Sequence, residues 1–215
     1  MKLYMIRHGE TNWNKARKVQ GRSDIPLNDY GRYLAEETAK GLQDVRLDVA
    51  YTSPLIRAKE TAEIMLRGRE IPLIEDKRLE ELGFGSYEGM HCGRDYDSPE
   101  AQAFDKFFTD PANYKPSGGE SLEDLLFRTA DFLQEIYELY DGQDKTILIT
   151  THGAALNAML NSIRGIDDVA RFWSGRVHPN CAVTIIDVEN KVPEILQEGI
   201  VYYQEEVRDW KWEER

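Results

Sequence analysis

Arg7 and His8 stand side by side directly after residues 3–6, an apolar run typical of a buried strand, and Gly9 follows them. An arginine guanidinium carries a permanent charge on a planar fork that matches phosphate oxygens. A neutral imidazole can attack phosphorus and carry the transferred group. Taken alone, such a pair also fits a capped strand end, but ligands of open α/β sheets gather at the carboxyl ends of strands. The pattern therefore favours phosphoryl chemistry on His8.

Two further residues are predicted to reach the same edge of the sheet. Residues 146–150 are too apolar to alternate, as is typical of a parallel strand buried on both faces, and His152 follows them. Pro54 favours the start of a helix, which places Arg57 in its first turn. The unpaired amides and the dipole at a helix N-terminus attract anions, so Arg57 would strengthen a phosphate site there.

The charge balance fits a small anionic substrate. The 215 residues include 27 Lys and Arg against 39 Asp and Glu, a formal net charge of −12. Nucleic acids and anionic membranes bind positive surfaces, so neither is expected as the main partner. In so acidic a chain, a cluster of two arginines and two histidines is a local exception of the kind that an anionic small molecule needs.

Four motifs in this order resemble the histidine phosphatase superfamily, also called the phosphoglycerate mutase-like family. They are Arg-His-Gly-Glu-Thr at 7–11 with Gln-Gly at 20–21, Thr-Ser-Pro-Leu-Ile-Arg-Ala at 52–58, Arg-Leu-Glu-Glu-Leu-Gly-Phe-Gly at 78–85 and Thr-His-Gly at 151–153. The resemblance spans nearly the whole chain. It implies that His8 is the nucleophile and that Glu81 is the proton donor, in contact with the substrate. It also implies that Arg7, Arg57 and His152 form the phosphate pocket and are catalytic. Asn14 and Gln20 are expected to add neutral donors, and Gly21 and Gly153 to bind the substrate with them.

The proton donor has competitors in the sequence. Glu80, Glu81 and Glu88 lie close together, and a run of glutamates is usually a solvated surface. Glu81 is assigned by its position in the family motif. It would have to be protonated to release the leaving alkoxide, and would then act as the base for water. Three other titratable residues are expected to be structural: Glu10, His91 and His178.

The resemblance leaves two functions open beside a phosphatase. A cofactor-dependent phosphoglycerate mutase would use a substrate hydroxyl in place of water. The stretch between Glu81 and His152 is shorter than those mutases lead one to expect, and Gln20-Gly21 resembles the phosphatase branch. A non-catalytic phosphate-binding protein would lack a reacting group, whereas His8, Glu81 and His152 are all present. No cofactor is implied and no metal-ligand spacing is found, so the main prediction is metal-independent hydrolysis of a small phosphomonoester.

Alternating strand and helix patterns predict an α/β fold, a three-layer sandwich whose mostly parallel central sheet carries helices on both faces. Strands are expected at 3–6, 49–52, 146–150, 182–188 and 194–200, and helices at 28–42, from 54 onward, at 121–140 and at 154–163. The length favours a single domain, 1–215. Residues 90–120 have no strong period and are expected to form an ordered lid insertion; the alternative is that their phenylalanines pack an additional helix.

The cysteines and the absence of a long apolar run bear on where in the cell the protein is found. Cys92 and Cys181 lie far apart and outside any metal-ligand spacing, so they are predicted to be reduced thiols. No apolar run approaches the ~20 residues that span a bilayer, and Arg7 leaves little room for a signal peptide. A cytoplasmic location is therefore expected. The oligomeric state stays open, and the acidic tail at 205–215 is predicted to be either a docking segment or a frayed end.

Overall fold

The computed structural model of the protein describes residues 1–92, 98–173 and 177–204. The acidic tail at 205–215 and part of the predicted lid, 93–97, lie outside the described residues. The strands are β1 Lys2–Arg7, β2 Val49–Thr52, β3 Leu73–Glu75, β4 Thr146–Thr151, β5 Val183–Glu189 and β6 Val192–Ile200. The α-helices are α1 Asn12–Lys15, α2 Asp29–Gly41, α3 Ile56–Met65, α4 Pro99–Thr109, α5 Leu122–Tyr140 and α6 Gly153–Ile163. Short 3₁₀ helices lie at Lys77–Leu79, Pro111–Asn113 and Val169–Arg171.

The strands form one sheet in the order β3-β2-β4-β1-β5-β6. Strands β1 to β4 run parallel to one another, whereas β5 is antiparallel to β1, and β6 is antiparallel to β5. β1 and β4 pair in register from Lys2 opposite Thr146 to Arg7 opposite Thr151, so their carboxyl ends coincide. The predicted α/β fold with a mostly parallel sheet is confirmed.

Helices cover both faces of the sheet. On one face, α5 and α6 pack against Leu3 and Met5 of β1, and on the other, α2 and α3 pack against Ile6. Because successive side chains of a strand point to opposite faces, β1 contributes to both layers of the core. Helix α5 begins after Ser121, whose hydroxyl oxygen accepts a hydrogen bond from the N–H of Asp124 at 3.1 Å. The predicted three-layer arrangement is therefore confirmed.

The described part of residues 90–120 contains helix α4. It begins after Ser98, whose side chain accepts a hydrogen bond from the N–H of Ala101 at 3.1 Å, and it buries Phe104 and Phe107. A helix of 11 residues is marginal in water by itself. Burial of each phenylalanine, at roughly 1.5–3 kcal/mol, therefore stabilises it. The segment therefore contains the additional helix that the alternative expected, although no strong period was recognised there. The role of residues 90–120 as a lid stays a prediction.

Two other elements were not predicted. Strand β3 has 3 residues and helix α1 has 4, and both are too short to carry a hydrophobic period. Within the described residues, no helix is both long and apolar enough to cross a membrane.

Candidate active site

His8 lies just beyond the carboxyl end of β1, where its backbone N–H still donates to the Thr151 carbonyl at 2.9 Å. Its Nδ1 is 2.7 Å from the Gly9 carbonyl oxygen, so Nδ1 carries the proton and donates it. This contact fixes the tautomer and leaves the lone pair on Nε2, the atom that a nucleophile needs. Burial, followed by the charges of Arg57 and Arg7, holds the pKa of His8 well below its usual range. The imidazole is therefore neutral at physiological pH.

Arg57 lies in the first turn of α3, as predicted, and its side chain is completely buried. Its Nη2 donates to the Gly21 carbonyl at 2.6 Å and its Nη1 to the Ser23 carbonyl at 2.9 Å. Gly21 has a φ of +56°, and a Cβ there would lie 2.1 Å from Oε1 of Glu88, so this turn requires glycine. Burial lowers the pKa of Arg57 to about 10, which leaves the guanidinium charged at neutral pH.

Arg7, the last residue of β1, supplies the second guanidinium. Its Nη1 donates to the His178 carbonyl at 2.6 Å, and burial lowers its pKa. The Nε atoms of Arg7 and Arg57 are both buried with no hydrogen-bond partner, and the ion pairs found among the described residues involve neither side chain. Because a buried charge normally needs a paired counter-charge, these two guanidinium groups form a site suited to an anion.

His152 follows β4 and precedes α6. Its ring centroid lies 5.1 Å from that of His8, and its Nε2 is 2.7 Å from Oγ of Ser53. Burial, followed by the charge of Arg57, holds the pKa of His152 well below its usual range. Its Nδ1 is buried and has no hydrogen-bond partner among the described residues. His152 is thus a neutral imidazole beside His8, and its Nδ1 can still form a hydrogen bond with a ligand.

Glu81 is held at the N-terminus of α6 and is almost completely buried. Its carboxylate oxygens accept hydrogen bonds of 2.9–3.1 Å from three backbone N–H groups, those of Leu82, Ala154 and Ala155. A Cβ on Gly153 would lie 3.6 Å from Oε2 of Glu81 and 3.8 Å from Nε of Arg7. The glycine therefore keeps open the space between the carboxylate and the guanidinium.

The neighbouring glutamates make other contacts. Glu88 accepts four hydrogen bonds, among them those from the backbone N–H and the hydroxyl of Ser23. Glu88 thereby holds in place the loop whose Gly21 and Ser23 carbonyl groups accept hydrogen bonds from Arg57. Glu80 forms an ion pair with Arg22 at 3.2 Å. Of these three glutamates only Glu81 lines the cavity described next, although its role as proton donor stays a prediction.

A cavity of about 810 Å³ joins these groups, and its volume is typical of a small-molecule site. Its lining includes every predicted site residue except His152: Arg7, His8, Asn14, Gln20, Gly21, Arg57, Glu81 and Gly153. The side-chain oxygens of Asn14 and Gln20 accept hydrogen bonds of 2.9–3.2 Å from Thr11. Their NH₂ groups are therefore the ends that can donate to a ligand. His152 is completely buried, with its ring against that of His8 and its Nδ1 without a hydrogen-bond partner among the described residues.

The residues expected to be structural make packing contacts. Glu10 accepts a hydrogen bond from Nδ2 of Asn28 at 2.8 Å, and Nδ1 of His91 lies 3.0 Å from the Ala16 carbonyl oxygen. The His178 carbonyl oxygen accepts from Arg7, and the His178 ring lies 3.2 Å from Oε1 of Glu198. Because Glu10 and His178 also line the cavity, their structural role stays a prediction. Among the described residues, no three His, Cys, Asp or Glu side chains are arranged so that they could hold a metal ion.

Sequence patterns did not predict two contacts of the site. Ser53 belongs to the motif at 52–58, yet its hydrogen bond to His152 had no counterpart in the predicted roles. Nδ2 of Asn180 donates to the His8 carbonyl at 2.8 Å. Asn180 reaches the site because β5 pairs antiparallel with β1, a pairing that no local sequence signal indicates.

Comparison with known proteins identifies the family of the chain. The profile of the histidine phosphatase superfamily (branch 1) matches residues 3–200. An uncharacterized phosphatase, PhoE, of Bacillus subtilis (strain 168) is 38% identical over 163 residues, 76% of this chain and 77% of its own. A 2,3-bisphosphoglycerate-dependent phosphoglycerate mutase of Cytophaga hutchinsonii is 34% identical over 177 residues, 78% of this chain and 80% of its own. The solved structure of Bacillus stearothermophilus YhfR superposes with a TM-score of 0.85 at 37% identity, covering 93% of this chain and 97% of that one.

The profile match across most of the chain, together with these relatives, shows that the chain belongs to the histidine phosphatase superfamily. The resemblance found in the sequence is confirmed. Both a phosphatase and a mutase are among the similar proteins, so membership alone does not separate these two activities.

Proposed function

We propose that this protein is a phosphomonoester hydrolase that acts through a phosphohistidine on His8. The observation that carries the proposal is the pair of arginines, Arg7 and Arg57, beside a neutral imidazole: the Nε atom of each is buried without a hydrogen-bond partner, and neither side chain is in an ion pair found among the described residues. A phosphoryl dianion would pair with both guanidinium groups. It would also give the unsatisfied Nε atoms hydrogen-bond acceptors, and an unsatisfied buried donor costs about 1–3 kcal/mol.

In the first step, Nε2 of His8 forms a bond to phosphorus as the bond from phosphorus to the ester oxygen breaks. Arg7 and Arg57 stabilise the charge on the equatorial oxygens, and Nδ1 of His152 is a third contact for them. Glu81, protonated at this stage, gives its proton to the departing alkoxide. We assign Oε2 as the donor oxygen because it accepts a single amide hydrogen bond and faces the space toward Arg7.

In the second step, water replaces the released alcohol. The Glu81 carboxylate takes a proton from this water, whose oxygen attacks phosphorus and breaks the bond to Nε2. Inorganic phosphate leaves, His8 returns to the neutral tautomer set by the Gly9 carbonyl, and Glu81 is protonated again. The chain's own arginines neutralise the charge throughout, which is the basis for proposing that the reaction needs no metal and no cofactor.

Chelation tests the proposed metal independence. Release of inorganic phosphate from a generic aryl phosphate is expected to continue at the same rate in excess EDTA, because both charge-neutralising groups are side chains. Vanadate is expected to inhibit competitively, since its five-coordinate form resembles the transferring phosphoryl group. Loss of activity on chelation, with recovery on adding a divalent cation, would contradict this part of the proposal.

Hydrolysis is favoured over mutase activity by the size of the segment above the site. A mutase must protect its phosphohistidine from water until a substrate hydroxyl returns, and the segment from Glu81 to His152 is short for that task. We propose that residues 90–120 form a lid that admits water, as an insertion in a single domain, 1–215. The two buried thiols, Cys92 and Cys181, fit the proposed cytoplasmic location.

A direct assay separates the two activities. With 3-phosphoglycerate, the protein is expected to release inorganic phosphate or to leave the compound unchanged, also when catalytic 2,3-bisphosphoglycerate is added. Phosphorus NMR distinguishes the 2- and 3-phosphoglycerate isomers and free phosphate in one sample. Rapid exchange between the isomers with little free phosphate would identify a mutase. If phosphate esters bind but none of them is hydrolysed or isomerised, the non-catalytic alternative is favoured.

A further inference from the structure

The loop directly before β5, residues 177–182, contacts the end of β1 at two points of the site. The His178 carbonyl accepts a hydrogen bond from Nη1 of Arg7 at 2.6 Å. Nδ2 of Asn180 donates to the His8 carbonyl at 2.8 Å. The loop therefore holds the two residues on which the proposed chemistry depends, although no step of that chemistry uses a group of the loop.

The position of the Arg7 guanidinium depends on the His178 carbonyl. Within the described residues, this carbonyl is the one hydrogen-bond acceptor of the Arg7 side chain, and Nε of Arg7 has no partner. Arg57, by contrast, donates to two carbonyl groups, those of Gly21 and Ser23. A shift of the His178 backbone would therefore move the guanidinium of Arg7 and leave that of Arg57 in place.

The backbone of His178 is restricted by the next residue and by its own ring. Pro179 follows it, and a proline restricts the residue before it to extended conformations. The His178 ring is buried, and its Nε2 lies 3.2 Å from Oε1 of Glu198 on β6. Oε2 of the same carboxylate contacts Nη2 of Arg164, which directly follows α6. Glu198 therefore ties the His178 ring to the end of a helix.

Strand β6 is irregular at Glu198. Residues 183–185 of β5 lie opposite residues 197–200 of β6, so β6 has an extra residue at this point. A bulge of this kind re-aims side chains, and bulges often lie next to active sites. Gly199 has a φ of +69°, and a Cβ there would lie 3.4 Å from Cδ2 of His178. The bulge therefore needs a glycine, which leaves room for the ring beside Glu198.

The Glu198 carboxylate is charged at neutral pH. Its contact with His178, followed by that with Arg164, lowers the pKa of Glu198 to about 2. Glu198 lines the cavity, but a carboxylate repels a phosphoryl dianion. An effect of Glu198 on the phosphoryl group would therefore have to pass through other residues.

We propose that Glu198 is a positioning residue: through the His178 ring it fixes the carbonyl group that orients the Arg7 guanidinium toward the transferring phosphoryl group. This inference rests on the proposed function. Orientation matters because a misplacement of about 1 Å near the reacting atoms can lower a rate about 10²-fold. Arg57 has its own pair of carbonyl groups and does not depend on Glu198.

Glu198→Ala tests the inference, and Glu194→Ala is its matched control. Glu194 lies on the same strand, is exposed and does not line the cavity. We expect Glu198→Ala to lower both kcat/KM for an aryl phosphate and the affinity for vanadate about 10- to 100-fold, the loss that a misplaced group causes. Glu194→Ala is expected to change neither. Unchanged values in a folded Glu198→Ala protein would overturn the inference.

Two arginine variants show whether the effect of Glu198 passes through Arg7. In Arg7→Ala protein, adding Glu198→Ala is expected to change kcat/KM and vanadate affinity by less than about twofold, because the guanidinium that Glu198 orients is gone. In Arg57→Ala protein, Glu198→Ala is expected to keep its full effect. A merely structural role of Glu198 would give equal losses in both proteins, and that result would overturn the inference.

Vanadate affinity separates this inference from the proposed function, because binding needs no turnover. If no ester is hydrolysed, the proposed function fails, and the vanadate affinities of these variants still test the positioning of Arg7. If esters are hydrolysed but Glu198→Ala weakens vanadate binding equally in Arg7→Ala and Arg57→Ala protein, the inference fails and the proposed hydrolysis stands.

Discussion

Replacing His8 with alanine is expected to abolish turnover, with a loss of at least about 10⁴-fold in kcat, as is typical for removal of an enzyme nucleophile. The reason is geometric. Nε2 of His8 is the unprotonated nitrogen beside two guanidinium groups, and its tautomer is set by the Gly9 carbonyl. Steady-state release of phosphate from an aryl phosphate measures the effect, and circular dichroism checks that the variant is folded.

The control for this prediction is a histidine outside the cavity. His91→Ala removes a ring that contacts the Ala16 carbonyl and does not line the cavity, so its rate is expected to stay near that of the unmodified protein. A His8→Ala variant that keeps its fold and most of its rate would show that His8 is not the nucleophile.

Glu81→Gln is expected to slow esters with poor leaving groups by about 10²- to 10⁴-fold, the usual contribution of a general acid. Aryl phosphates should be affected much less in the bond-breaking step, because a phenolate needs little protonation to depart. The comparison is therefore the ratio of rates for an alkyl and an aryl phosphate, measured by single-turnover kinetics so that only the first step is observed. A glutamine keeps the size of the side chain at the N-terminus of α6.

Glu80→Gln is the matched control for the proton donor. Glu80 directly precedes Glu81, but it pairs with Arg22 rather than lining the cavity. This variant is expected to leave the alkyl-to-aryl ratio unchanged. If Glu80→Gln lowered the ratio and Glu81→Gln did not, the proton donor would have to be reassigned.

Sequence patterns predicted the position of a site residue correctly where the residue belongs to, or directly follows, the strand or helix that the pattern indicates. The apolar runs of β1 and β4 predicted their own positions and delivered His8 and His152 to one edge of the sheet. Pro54 likewise predicted the helix start that buries Arg57 in a first turn. In each case the relevant packing is local, so a short window of sequence contains it.

The predictions failed where the deciding contact comes from distant parts of the chain. Glu80 and Glu81 have the same side chain, and what separates them is the N-terminus of α6, which binds only Glu81. The contact of Asn180 with His8 depends on how β5 pairs with β1. Neither relationship produces a local pattern, so motif resemblance was needed for Glu81 and nothing indicated Asn180.

Helix α4 is a different case, because its signal was present. Ser98 and Pro99 form a helix start, and apolar residues recur at Ala101, Phe104 and Phe108, at spacings of three and four residues. The helical spacing is not evident over residues 90–120 as a whole, because the segment also contains turn sequences such as Pro-Ser-Gly-Gly at 116–119. The error concerned the segment above the site and left the predicted location of the site itself unaffected.

Covalent trapping of the phosphohistidine tests the proposed role of His8. The unmodified protein is mixed with a phosphomonoester for less than one turnover and quenched without acid, because phosphohistidine is acid-labile, and its peptides are then examined by mass spectrometry. We expect one phosphoryl group on His8, and none on the same peptide from unmodified protein left without substrate. Rapid hydrolysis with no phosphorylated His8 at any quench time, or with the phosphoryl group on another residue, would contradict it.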